Sequence, residues 1–137
     1  MNEADDRALV EAARAALERS AASHREAADV TGSWVDPEWV SDHATLAEQA
    51  TECARRLADL DPAERLDAAA LDALVVGGEA LAREAAGWHY LAATATEQWR
   101  GEFTARSEQA QQNADAVLAL RQRLFERDRG AEQEAER

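Results

Sequence analysis

Residues 36–60 read DPEWVSDHATLAEQATECARRLADL. Asp36 carries the short acceptor side chain of a helix N-cap, and Pro37 suits the first helical position, where its missing N–H has no helical partner to lose. From there Trp39, His43, Leu46, Ala50, Cys53, Leu57 and Leu60 recur at alternating steps of four and three. That spacing keeps side chains on one helical face and forms a seam that packs along its length. Glu38, Glu48, Glu52, Arg55, Arg56 and Asp59 fall off the seam. The stretch therefore predicts a helix over 37–60, and an all-α chain around it.

The neighbouring segments follow the same pattern. Upstream, Leu9, Val10, Ala13, Ala16, Leu17, Ser20 and His24 share one face of a first helix over 3–29, closed by Val30-Thr31-Gly32-Ser33. Downstream, Asp61-Pro62-Ala63-Glu64 repeats the aspartate-proline start, with Glu64 at capping-box spacing. Leu66, Ala70, Leu74, Gly77, Leu81, Ala85 and Trp88 continue a seam. Trp99, Phe103, Arg106, Ala110, Val117, Leu120 and Leu124 extend it toward Arg129. One helix over 62–129 would be ~100 Å long at 1.5 Å per residue, so a break is expected. Gly87 fits the position just past a helix end, with Thr94 and Glu97 capping the next helix and Trp88-His89-Tyr90 in the turn. Gly77-Gly78 offers an additional break, with Gly101 a third candidate. The prediction is an antiparallel bundle of four main helices, about 3–29, 37–60, 62–86 and 89–129. They form one domain over 1–129, followed by a frayed acidic tail at 130–137.

Composition supports this reading. Alanine, the best helix former, fills 34 of 137 positions; isoleucine and lysine are absent, and 15 arginines carry the basic charge. Large apolar side chains number only 29. An alanine-built core is thin, because each buried Leu or Val contributes roughly 1.5–3 kcal/mol, so pairing with a second chain is expected. The net charge of −13, with acids spread from Glu3 to Glu136, repels phosphate backbones and anionic membranes. Neither direct nucleic-acid binding nor membrane binding is expected. The densest basic run, Arg121, Arg123, Arg127 and Arg129, is interrupted by Glu126 and Asp128. The segment Met1–Asp6 lacks an apolar signal core, and no apolar run approaches the ~20 residues that span a bilayer. A cytoplasmic location is the expectation.

Chemistry-bearing residues are few. Cys53 is the only cysteine, which excludes an internal disulfide and a cysteine-based zinc site; its place on the apolar seam marks a packed thiol. The residues three before His24, His43 and His89 are Ala21, Val40 and Ala86. The Glu-x-x-His pairs of helical di-iron proteins are therefore missing. No His-Glu-x-x-His occurs either, so no metal or cofactor is expected. Gly77-Gly78 lacks the Lys-Ser/Thr of a phosphate loop, and no serine sits in a nucleophile elbow. The aromatic residues are more suggestive. Trp34 and Trp39 bracket the connection between helices one and two, and Trp88 and Tyr90 flank His89. If helices two and three run antiparallel, Trp34, Trp39, His43, Trp88, His89 and Tyr90 gather at one bundle end, a candidate site for a ligand or a partner's anchor. No catalytic residue is identified.

The expected function is a non-catalytic protein interaction or assembly module, homo-oligomeric or docking a protein partner. The alternative is a bundle binding a small molecule at Trp39, His43, Trp88 and His89, with a histidine available for catalysis. A third reading rests on an Arg-x(4–6)-His spacing, present as Arg19…His24 and Arg83…His89. HEPN-type ribonucleases use an arginine and a histidine at that separation to contact the scissile phosphate. Two letters in an arginine-rich, acidic chain do not amount to a resemblance.

Overall fold

The computed structural model describes residues 3–30 and 34–137, and among these it consists of four helices: α1 (Glu3–Ala28), α2 (Pro37–Ala58), α3 (Ala68–Thr94) and α4 (Glu97–Ala135). Part of the expected stop after the first helix, Thr31-Gly32-Ser33, lies outside the described residues. The helices run up, down, up and down. Arg25 of α1 donates to Thr51 of α2, and Ser107 of α4 donates to the Ala85 carbonyl of α3. Asp6, near the start of α1, meets Arg123, near the end of α4. The fold is the expected all-α antiparallel four-helix bundle.

Small residues determine its cross-section. Gly77 of α3 lies directly against Ala13 of α1, so these two diagonal, parallel helices touch. On its other side Gly78 lies against Val117 and Leu118 of α4. Among the described residues the backbones of α2 and α4 nowhere come within 8 Å, Cα to Cα. The core runs along the axis through Leu17, Leu57, Leu74, Val117 and Leu120, all almost fully buried, with Ala13, Ala16, Ala54 and Ala114 filling the gaps. Gly77-Gly78 is therefore no break. The helix passes straight through it, because the missing side chains let three helices converge.

Other boundaries differ from the sequence reading for local reasons. Asp61-Pro62 makes a turn: the Asp61 carboxylate accepts from the Ala63 N–H, but the helix does not propagate. Its backbone groups are captured by α4 instead. Arg127 donates to the carbonyls of Pro62 and Glu64 at 2.6 and 2.7 Å, and Asp128 accepts from the Leu66 N–H at 2.9 Å. Arg65 also pairs with Glu132. The third helix starts only at Ala68, capped by the Asp67 carboxylate on the Ala70 N–H. It does not end at Gly87 but runs on to Thr94, carrying Trp88, His89 and Tyr90 in helical conformation. Gly in a helix costs about 1 kcal/mol, and the packing of Trp88 and the buried Ala92 beyond it offsets this.

α4 begins at Glu97 and continues to Ala135, so residues 130–135 are helical rather than frayed. Its 39 residues span about 58 Å at 1.5 Å per residue, and its last turns hold the 59–67 connection. Burial raises the pKa of Asp128, but its bonds to Arg127 and to the Leu66 N–H outweigh this and hold it below the usual carboxylate range. The arginine run is tied up in the same way: Arg123 on Asp6, Arg127 on the connection, Arg121 over the Phe125 ring. Among the described residues no helix is long and apolar enough to cross a membrane.

Candidate functional site

The two ends of the bundle differ in chemistry. The α2–α3 connection lies at the charged end, held by Arg127, Asp128 and Arg65. The α1–α2 and α3–α4 connections lie at the other end, and six of the seven aromatic residues (all but Phe125) lie on or near them.

On the α1–α2 side, His24 and His43 face each other with their Nδ1 atoms 2.8 Å apart and ring centres 5.0 Å apart. The two nitrogens thus meet nearly head-on, the geometry of one shared proton. Two ligands of a single divalent ion would instead converge on a third point. Trp39 stands edge-on to His43, with centroids 4.3 Å apart. Burial, the neighbouring His43 and the Arg83 guanidinium each push the pKa of His24 down. Among the described residues no three His, Cys, Asp or Glu side chains come close enough together to hold a metal ion. Cys53 is half-buried, and burial pushes its thiol pKa up, which disfavours the nucleophilic thiolate.

On the α3–α4 side, Trp88 stacks on Phe103 at 5.6 Å, and Phe103 on Trp99 at 6.4 Å, a ladder of three near-parallel rings. The Arg106 guanidinium lies 4.8 Å above the Trp88 ring.

Three of the six residues singled out from sequence belong to these clusters and three do not. Trp39 and His43 belong to the first, and Trp88 to the second. Trp34, His89 and Tyr90 are exposed. His43 has its bond to His24, while His89 makes no hydrogen bond or ring contact among the described residues. His24, Trp99, Phe103 and Arg106 complete the clusters without having been singled out. A signal for them was present: each ring pair joins residues in the second turn from a hairpin connection. His24 and His43 flank the α1–α2 connection in this way, as Trp88 and Phe103 flank the α3–α4 connection.

Comparison with protein-family models, curated proteins and solved structures finds no match to this chain.

Proposed function

We propose that the protein is a non-catalytic interaction module that assembles with a second copy of itself through its aromatic end. The observation that carries this reading is the exposure there of large amphipathic rings: Trp34 is 79% exposed, Tyr90 67%, Trp99 49% and Trp39 43%. Val30, Leu46 and Leu91 add apolar area on the same half of the bundle. Tryptophan and tyrosine are the residues most often found at interface hot spots, and clustered apolar exposure marks interaction surfaces. The thin alanine core favours the same outcome, because a partner would cover these rings and add to the buried apolar area.

Sedimentation velocity from low to high micromolar protein tests the proposal. Wild type should self-associate, and more tightly at high salt, where the repulsion between two chains of charge −13 is screened. The double variant Trp34→Ala/Trp99→Ala should sediment as a monomer while keeping its helical circular dichroism. A wild-type protein that stays monomeric throughout, or a variant that associates as wild type does, overturns the reading.

A further inference from the structure

Between α1 and α3 lies a cleft of about 290 Å³ bordered by Arg19, Ser20, Ser23, His24, Arg83 and Glu84. Its polar groups differ in how far they are already engaged. Arg19 and Glu84 form a bidentate pair at 2.6 and 2.8 Å, so their charges cancel locally. Arg83 is exposed and makes no ion pair with any described residue. In a chain with 28 acids and 15 arginines, an unpaired guanidinium beside a histidine leaves a local positive field.

The two serines are free in the same sense. Thr51, Thr94 and Ser107 each turn the hydroxyl onto a helix carbonyl, at 2.8, 3.1 and 2.8 Å. Neither Ser20 nor Ser23 makes a hydrogen bond among the described residues. His24 has its Nδ1 taken by His43, which leaves Nε2 as the nitrogen able to meet a ligand. One cation, two hydroxyls and one imidazole nitrogen, a donor whenever His24 is charged, thus border one small volume.

We propose that this cleft binds the phosphate group of a small phosphomonoester, with Arg83 as the cation and Ser20, Ser23 and His24 Nε2 as hydrogen-bond donors. Three kinds of donor around one volume suit a tetrahedral dianion, and a guanidinium recognises phosphate through its planar fork. A planar carboxylate would be satisfied by the arginine alone. The second ionisation of a phosphomonoester, near pH 6, falls beside that of an imidazole. The bound dianion therefore favours an extra proton on the His24–His43 pair. The groups facing that pair are Arg19 on α1, Trp39 on α2, and Arg83 and Glu84 on α3. With the Arg19–Glu84 pair neutral, a bound anion offsets Arg83, which adds to burial and to the neighbouring His43 in holding the proton off His24. The cleft shares His24 with the cluster at the aromatic end, but none of the four exposed rings borders it, so failure of either proposal leaves the other standing.

The test uses inorganic phosphate and phenyl phosphate as probes, with chloride at matched ionic strength as the control. Histidine resonances are followed by NMR across pH, and affinity is measured by calorimetry. Both phosphates should bind at one site and move the titration of His24 to higher pH; phenyl phosphate binding more tightly would show that the ester group is recognised too. Arg83→Gln should weaken binding by about tenfold or more, and Ser20→Ala/Ser23→Ala should weaken it severalfold. Arg55→Gln, outside the cleft, should leave it unchanged. Three results overturn the proposal: a chloride response equal to that of phosphate, undiminished binding by Arg83→Gln, or tighter binding of a single-stranded oligonucleotide than of phenyl phosphate.

Discussion

Substituting Gly77 by alanine tests whether the bundle depends on the contact of its diagonal helices. An added Cβ would stand 2.7 Å from Ala13 Cβ and 3.4 Å from both Ala13 Cα and Leu57 Cδ1. Carbon atoms pack best at about 3.5–4.0 Å, and Ala13 Cβ cannot rotate away because it is fixed to the α1 backbone. Helices α1 and α3 must therefore separate by about 1 Å at a place where Ala13, Ala16 and Leu74 are fully buried. Overpacking of this kind costs about 1–3 kcal/mol, and the loss falls toward the upper part of that range because backbone has to move. The better helix propensity of alanine returns about 1 kcal/mol. The net expectation is a loss of about 1–2 kcal/mol, a fall in Tm of about 3–8 °C for a chain of this length.

Gly87→Ala is the matched control. Nothing lies within 4 Å of a Cβ there, so only the propensity gain applies, and Tm should rise by a few degrees. Ala13→Gly/Gly77→Ala, which moves the methyl from one helix to the other, should show a favourable coupling of at least ~1 kcal/mol in a double-mutant cycle. Urea and thermal unfolding followed at 222 nm measure all five proteins, the single variant Ala13→Gly completing the cycle. The reasoning is refuted if Gly77→Ala is as stable as wild type, or if the two glycines respond alike.

Two further perturbations test the joints at either end. His24 has a folded-state pKa below its ordinary value, so the unfolded chain takes up its proton first as pH falls. Stability should therefore be complete above pH ~6.5, decline between there and the lower folded-state value, and then level off; His24→Gln should remove that step from a urea titration across pH. At the other end, Arg127→Ala leaves the carbonyls of Pro62 and Glu64 without their donor. It should cost about 1–3 kcal/mol, with amide hydrogen exchange accelerating first in residues 62–67. Asp128 has a lowered folded-state pKa, so its contribution is present above pH ~3.9 and lost as the pH falls through the folded value. In Asp128→Asn that acid-side loss should disappear.

What the sequence made legible follows from the range of the forces involved. The start of α2 was readable because Asp36 and Pro37 act on their own next turn: the Asp36 carboxylate takes the Glu38 N–H at 2.9 Å. Asp61-Pro62 carries the same local signal, yet Arg127 and Asp128, more than sixty residues away in sequence, hold the connection's backbone in a non-helical path. No window of neighbouring residues contains that information. The glycines divide along the same line. Gly87 read as a stop because nothing nearby argued otherwise, and it was overridden by Trp88 packing on Phe103 of another helix. The length of the last helix is likewise used at long range: its final turns close the α2–α3 connection within the chain.

The candidate sites obey a rule that lies between local and distant. In an antiparallel hairpin, residues about equally far from the connection come level: Trp88 and Phe103 each lie six residues from their helix ends, and His24 and His43 lie four and six, both in the second turn. The sequence reading paired the ends of helices two and three instead, and so looked for His43 beside His89. Sequential neighbours pack on each other because their connecting loops are short. The imidazole pair thus fastens a hairpin, and the ring ladder fastens the other. Among the described residues only the α1–α3 contact, closest at Ala13 and Gly77, joins parallel helices across the diagonal, where no turn sets the register. That register rests on the close fit of Gly77 against Ala13, with the partly exposed Arg19–Glu84 pair beside it, which is why a single methyl there should affect the fold more than the same methyl at Gly87.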